Sequence, residues 1–377
     1  MFNDNSSDDD EPYTDSSSSS DEGDTTEFYA LRRSSRIREM RRRKQDNMFS
    51  NDLHHVIPLP FKPTCWTELV CLCRKSKELP IFDYYKDCRI LRNVEPIASE
   101  IDKLIGLEEV KETIANFIIA FCSNVTKKSR TMCHVVITGQ SGTGKTTLAR
   151  LLAKLFNALG LLSTDRVVVG NRVNMIGAHL GETSKMTQKR IDEAEGGCLL
   201  IDEAYQLGHR QGENDSYAQN CLDTLNQNLT EQGNNFQCIV VGYRHEMEYK
   251  FFAMNPGLRR RFQWVFHLPK MKAADLFRIL EHMLVRQGLR ISTTSWINVD
   301  WFHSKMKHFP HWGGSVENLV SKIFLTHSTR VFGASKDEKG IITKEDVNRG
   351  YEMYRKFDSS LGSQRAGNSF SHQSMYL

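Results

Sequence analysis

The chain has 377 residues, with 50 Lys plus Arg against 46 Asp plus Glu, 9 prolines and 24 glycines, which excludes collagen-like and wholly disordered chains. Its hydrophobic fraction of 39% is low for a chain long enough to bury a large core, so a folded region coexists with a polar segment. The formal charge of +4 divides into −10 over residues 1–30, +7 over residues 31–44 and +7 over the remainder, so the position of the charge informs more than its sum. No apolar run of about 18 residues occurs and the first residues are acidic and serine-rich, which predicts neither a transmembrane span nor a secretory signal and no membrane partner. Nine scattered cysteines suit a reducing, intracellular compartment. Cys65, Cys71, Cys73 and Cys88 include no CxxC pair, and among Trp66, Leu69, Val70 and Leu72 they read as small apolar residues of a buried helix.

Residues 1–50 are expected to be disordered, since serines and like charges bury too little apolar area to offset chain entropy. Ser6, Ser7, Ser18 and Ser19 each precede an acid by three residues, a context in which phosphorylation adds further negative charge. Arg32, Arg33, Arg36, Arg38, Arg41, Arg42, Arg43 and Lys44 form a basic arm that reads as a nuclear-import or nucleic-acid patch, or as a counter-charge to the acidic tail. Residues 51–99 form a small helical adaptor without a motif. From Ile101, the spacing of Leu104, Leu107, Val110, Ile114, Phe117, Ile118 and Phe121 predicts an amphipathic helix. Strands and helices then alternate over residues 100–269, which predicts an α/β fold, a parallel sheet with helices on both faces. After about Pro269 the strands stop. Residues 270–357 read as a helical lid domain whose last helix starts at a capping box, Thr343 with Asp346, and 358–377 as a disordered tail.

The segment HVVITGQSGTGKTTLARLLAKLF (134–156) is an apolar strand, a glycine loop and a helix, the pattern of a phosphate-binding loop. Gly139, Gly142 and Gly144, with Gln140, Ser141 and Thr143 between them, let the backbone N–H groups face phosphates at a helix N-terminus. Lys145 is expected to reach the β and γ phosphates, and the Thr146 hydroxyl, followed by Thr147, suits Mg²⁺. In GGCLLIDEAYQL (196–207) a short buried strand ends at Asp202, an acid placed to hold the Mg²⁺ water shell, and Glu203 is the candidate base for an attacking water. A third strand, QCIVVGYRHEM (237–247), belongs between these two and ends at Gly242 and Tyr243, where the tyrosine either donates to the γ-phosphate or packs. In NPGLRRRF (255–262), Arg259, Arg260 and Arg261 are either a solvated patch or an arginine finger offered to a neighbouring subunit, which requires a self-oligomer.

With these residues in hand, the chain resembles the AAA+ ATPases, in the branch of stage V sporulation protein K and CbbX that also includes versions from large DNA viruses. The resemblance runs from LIGLEEVK (104–111) to NPGLRRRF and covers roughly residues 100–350. It implies a hexameric ring coupling Mg²⁺-dependent ATP hydrolysis to remodelling of a macromolecule. It also implies an adenine pocket at Ile105, Gly106 and Leu107, with the catalytic roles of Lys145 and Glu203 and the metal roles of Thr146 and Asp202 as argued above. The finger is then Arg261, with Arg259 second, because the family pattern has serine where Arg260 stands. IGAHLGET (176–183) matches the substrate pore loop, with His179 in place of the gripping aromatic residue and Leu180 after it. The lid-helix start HWGGSVENLV (311–320) lacks the family's nucleotide-contacting arginine, which implies either weaker nucleotide-driven lid motion or substitution by another base such as Lys322. The leading expectation is a motor that remodels a protein complex. The alternatives are an ATPase acting on DNA or RNA, suggested by the basic arm, and a nucleotide-switched scaffold with weak hydrolysis.

Overall fold

The structure, a computed structural model, describes residues 63–78, 86–122, 134–179, 181–209, 215–231, 236–291, 297–333 and 335–368. The acidic tail with its serines, the basic arm, Cys88's side chain, Leu180 and residues 369–377 lie outside the described residues. Among the described residues no helix is long and apolar enough to cross a membrane.

Among the described residues the chain opens with the helices α1 (Trp66–Glu78) and α2 (Lys86–Asp102). Pro96 lies inside α2, where the buried stripe Leu91, Val94, Ala98 and Ile101 carries the helix past it. The Trp66 indole donates to Asp102 Oδ1 at 2.9 Å, and the Trp66 N–H donates to Glu112 Oε2 at 3.0 Å, which pins α1 to both α2 and the next helix, α3 (Glu108–Cys122). Cys73 is buried in this bundle, and desolvation pushes its thiol up to about 12.

The single helix expected across residues 101–121 is instead two helices with a turn between them. α2 stops at Asp102 and Gly106 has φ 74°, a left-handed backbone that glycine adopts without strain. The apolar spacing continues through the turn because Leu107 is buried with Val110 and Ile114.

Five parallel strands follow, β1 (Val135–Thr138), β2 (Val167–Gly170), β3 (Cys198–Ile201), β4 (Gln237–Gly242) and β5 (Trp264–His267), in the spatial order β2-β3-β4-β1-β5. The third motif strand therefore lies between the other two, as the sequence predicts. β1, β3 and β4 are buried at every position, whereas β2 and β5 at the edges are half-exposed, which explains the unbroken apolar runs of the centre. Helices α4 (Lys145–Ala158), α5 (Glu182–Glu193) and α6 (Ser216–Glu231) connect the strands, and α7 (Pro256–Arg261) precedes β5. Asn255 caps α7 by accepting from the Gly257 N–H at 2.9 Å, with Pro256 at the first helical position. One core unites Leu199, Ile201, Leu222, Val240, Phe251 and Phe262. On the other face Phe117 of α3 meets Phe156 of α4 edge-on at 5.5 Å and Trp264 of β5 at 4.8 Å.

The lid includes α8 (Ala273–Arg286), α9 (Val299–Lys305), α10 (Trp312–Arg330) and α11 (Lys344–Asn368), which continues past residue 357 where the tail was expected to start, around a second core that includes Leu276, Leu280, Phe302, Val316, Leu319 and Ile323. Strands do not end at Pro269: β6 (Arg290–Ile291) and β7 (Ile341–Ile342) pair in parallel inside the lid. Two residues are too few for an alternating pattern to be visible in sequence. The capping box is present, with the Thr343 N–H donating to Asp346 Oδ2 at 2.9 Å and the Asp346 N–H to Thr343 Oγ1 at 3.4 Å.

Candidate active site

The site lies at the carboxyl ends of β1, β3 and β4, the edge at which open α/β sheets bind ligands. The loop after β1 turns through Gly142 (φ 75°) and Gly144 (φ 90°) into α4. Thr143 Oγ1 donates to the Gln140 carbonyl at 2.8 Å and fixes the loop's curl. Lys145 Nζ donates to the same carbonyl at 2.7 Å and stands 5.0 Å from the centroid of the Tyr243 ring. Burial lowers the pKa of Lys145, and the charges of Asp202 and Glu203 oppose that shift. A cation that is desolvated and only partly compensated favours an arriving anion such as a polyphosphate.

Thr146 Oγ1 donates to Asp202 Oδ2 at 2.8 Å. A hydroxyl and a carboxylate side by side are the hard oxygen donors that Mg²⁺ takes, so the residues fit that ion: Thr146 would ligate it and Asp202 would hold its water shell. Bound there, the ion would supply charge neutralisation between phosphate oxygens.

Asp202 Oδ1 accepts from the Glu203 N–H at 3.0 Å, and Glu203 has φ 49° and ψ 44°. A left-handed backbone at a non-glycine residue is strained, and such strain clusters at functional sites. The turn presents an exposed Glu203 carboxylate just beyond the half-buried Asp202. Gln206 Nε2 donates to Glu203 Oε2. Tyr205 lies beside this pair with its ring 5.6 Å from Tyr243, and burial, followed by the Glu203 charge, pushes its phenol up to about 12. Tyr243 thus contacts both Lys145 and Tyr205, so it packs at the tip while lining the lysine.

The structure brings together Lys145, Thr146, Asp202, Glu203 and Tyr243. Arg259 and Arg261 bond elsewhere. Arg259 pairs with Glu248 at 2.5 Å and lies over the Phe252 ring at 5.1 Å, while Arg261 donates to Thr230 Oγ1 from Nε at 3.0 Å and to the Gly257 carbonyl from Nη1 at 3.2 Å. Arg260 is exposed. His179 is exposed in a loop held by Glu182, whose Oε2 accepts from the Ala178 and His179 N–H groups at 3.0 and 3.2 Å. Ile105 and Gly106 are half-buried and Leu107 buried, and the lid's Asp275 closes on them: a Cβ at Gly106 would stand 2.9 Å from Asp275 Cγ. Lys322 lies over the Phe357 ring at 5.0 Å, a contact within the lid. Sequence reasoning missed Asp275, Gln206 and Trp312, whose indole N–H donates to Gln140 Oε1 at 2.8 Å. The unusual Trp-Gly-Gly start of the lid helix was the one available signal for the last.

A profile of the ATPase family associated with various cellular activities (AAA) matches residues 135–270. A cfxQ-like protein of Acanthamoeba polyphaga mimivirus is 31% identical over 260 residues, covering 68% of this chain and 63% of its own. Stage V sporulation protein K of Bacillus subtilis (strain 168) is 32% identical over 209 residues, covering 54% of this chain and 63% of its own. Protein CfxQ of Xanthobacter flavus is 30% identical over 249 residues, covering 63% of this chain and 78% of its own. The match thus spans a little under two thirds of the first two relatives and over three quarters of the third. With a profile that begins at β1 and ends just after β5, and a relative matched along most of its length, the chain belongs to the AAA ATPases, in the branch its motifs anticipated.

Proposed function

We propose that the chain hydrolyses ATP with Mg²⁺ as an assembled ring and uses the cycle to remodel a protein complex. The observation that carries the hydrolytic part is the turn after β3, where strained Glu203 stands next to Asp202 and its Thr146 partner. Lys145 binds the β and γ phosphates, and backbone N–H groups of residues 139–147 surround them. Glu203 takes the proton from a water attacking the γ-phosphate, and Gln206 orients its carboxylate. Arg261, with Arg259 as its neighbour on α7, serves the site of an adjacent subunit. Support for action in trans is that both guanidinium groups bond to Glu248, Thr230 and the Gly257 carbonyl, and not to the phosphate-loop residues of their own chain. His179 and Leu180 form the substrate-facing loop, and Ile105, Gly106 and Leu107 the adenine pocket.

A stalled motor retains what it acts on. Affinity capture with a Glu203→Gln chain in ATP is expected to hold one dominant protein, and release it in ADP. Capture of nucleic acid instead would favour the DNA or RNA reading. Capture of nothing, with hydrolysis unchanged on dilution to monomer, would reject the ring.

A further inference from the structure

The lid touches the phosphate loop directly, at the point where no lid arginine is present. Trp312 opens α10 with φ 42°, a conformation that costs a bulky residue backbone energy and persists where the surroundings over-determine it. Three contacts do so here. The Trp312 indole N–H donates to Gln140 Oε1 at 2.8 Å. The Gly313 N–H donates to the Gly142 carbonyl at 3.2 Å. Main chain also rests on main chain, since a Cβ at Gly142 would stand 1.9 Å from the His311 carbonyl oxygen and one at Gly313 would stand 3.0 Å from the Gly142 carbonyl oxygen. Ser315 Oγ steadies the turn by accepting from the His311 N–H at 3.0 Å.

Gln140 is the junction. Its side chain holds the lid through Trp312, while its carbonyl accepts from Lys145 Nζ at 2.7 Å and from Thr143 Oγ1 at 2.8 Å. The lid, the loop's curl and the phosphate-binding lysine therefore meet in one residue. We propose that Trp312 and Gln140 are positioning residues for ATP hydrolysis: the indole–amide hydrogen bond docks the lid on the phosphate loop, so that lid position is read by the loop itself. Nucleotide that alters Lys145's bond to the Gln140 carbonyl alters the lid's anchor, and movement of the lid alters the loop that holds the phosphates.

The inference rests on the hydrolytic reading above, and its test separates the two. Trp312→Phe keeps an aromatic ring but loses the N–H, and Gln140→Met keeps length but loses the acceptor. In the full-length chain each is expected to lower kcat about fivefold, the scale of one hydrogen bond, while nucleotide affinity stays within about twofold. Because both act through one bond, the double variant is expected to match the single variants. Trp312 emission, taken as the change that Trp312→Phe makes in the unsubstituted chain and again in Gln140→Met, is expected to lie at longer wavelength in Gln140→Met as the indole gains solvent. Emission needs no turnover, so a failure of hydrolysis is told apart from a failure of the latch. Losses that multiply in the double variant, an unchanged kcat in both singles, or an unmoved emission would each overturn the proposal.

Discussion

The sheet region and the lid each bury an apolar core, yet they treat their key carboxylates in opposite ways. At the rim of the sheet Glu203 is exposed on a strained backbone, and Lys145 is desolvated with partial compensation. In the lid the Asp346 side chain is only 2% exposed and fully engaged. Arg330 Nε donates to Asp346 Oδ1 at 2.9 Å, His327 Nδ1 lies 3.3 Å from Oδ2, and the Thr343 N–H donates to Oδ2. Arg330 Nη2 also donates to the Ile341 carbonyl at 2.9 Å, so the same network ties α10 to β7 and α11. Satisfied buried networks rigidify, and groups left under-satisfied at a rim are available for chemistry. The contrast separates a rim with groups available to a ligand from a lid tied together by a satisfied network.

The largest expected effect falls on the rim. Glu203→Gln is expected to slow hydrolysis by about 10²–10⁴-fold while retaining ATP, because water activation is lost and the phosphate contacts are not. Rate and retention measured on one preparation would break the contrast if that variant turned over normally.

In the lid, Asp346→Asn removes the anion held by Arg330 and the Thr343 N–H and is expected to cost about 2 kcal/mol of stability. Thermal unfolding with and without nucleotide reads this loss. If the variant melted unchanged but hydrolysed as poorly as Glu203→Gln, the lid carboxylate would belong to the catalytic edge after all.

The remaining effects depend on acid. His134, at the opposite end of β1 from the loop, is buried, and desolvation holds its pKa at about 4 against an ordinary 6.5, with the Leu229 carbonyl pulling the other way. The folded state therefore takes up its proton later than the unfolded chain. Stability falls between pH 6.5 and about 4, by about 3 kcal/mol in total. Asp346 is held at about 2, below its ordinary 3.8, by Arg330, the Thr343 N–H and His327 acting against its burial. Its contribution is complete above pH 3.8 and is lost as pH falls toward 2, by about 2 kcal/mol. Hydrogen exchange across a pH series is thus expected to loosen the sheet around His134 before the lid around Asp346. The reverse order would contradict both assignments.

Much of the sheet region is legible in the sequence because its chemistry imposes local backbone. Glycines 142 and 144 have to turn through positive φ, and a buried run ending in Asp202 has to emerge at a strand's carboxyl end. The β-branched content of β4 marks it as a strand, and its place between β1 and β3 is the one expected of the third motif strand. The lid is less legible. Two-residue strands carry no period, and nothing in the spacing of Trp312 or Gln140 indicates that residues 172 positions apart share a hydrogen bond. Asp275 against Gly106 is likewise a meeting of two regions, visible only once α8 has docked. The turn at Gly106 was hidden for a different reason: Leu107 keeps the apolar stripe in phase across a break in the helix.

The most direct measurement of catalysis shared between subunits mixes two defective chains. Lys145→Ala removes the lysine of the loop but keeps α7, and Arg261→Ala removes the proposed finger but keeps the loop. Each alone is expected to hydrolyse ATP poorly, and an equal mixture is expected to recover activity well above their average, because one subunit supplies the arginine to the other's site. A mixture no more active than the average of its two components would contradict catalysis shared between subunits.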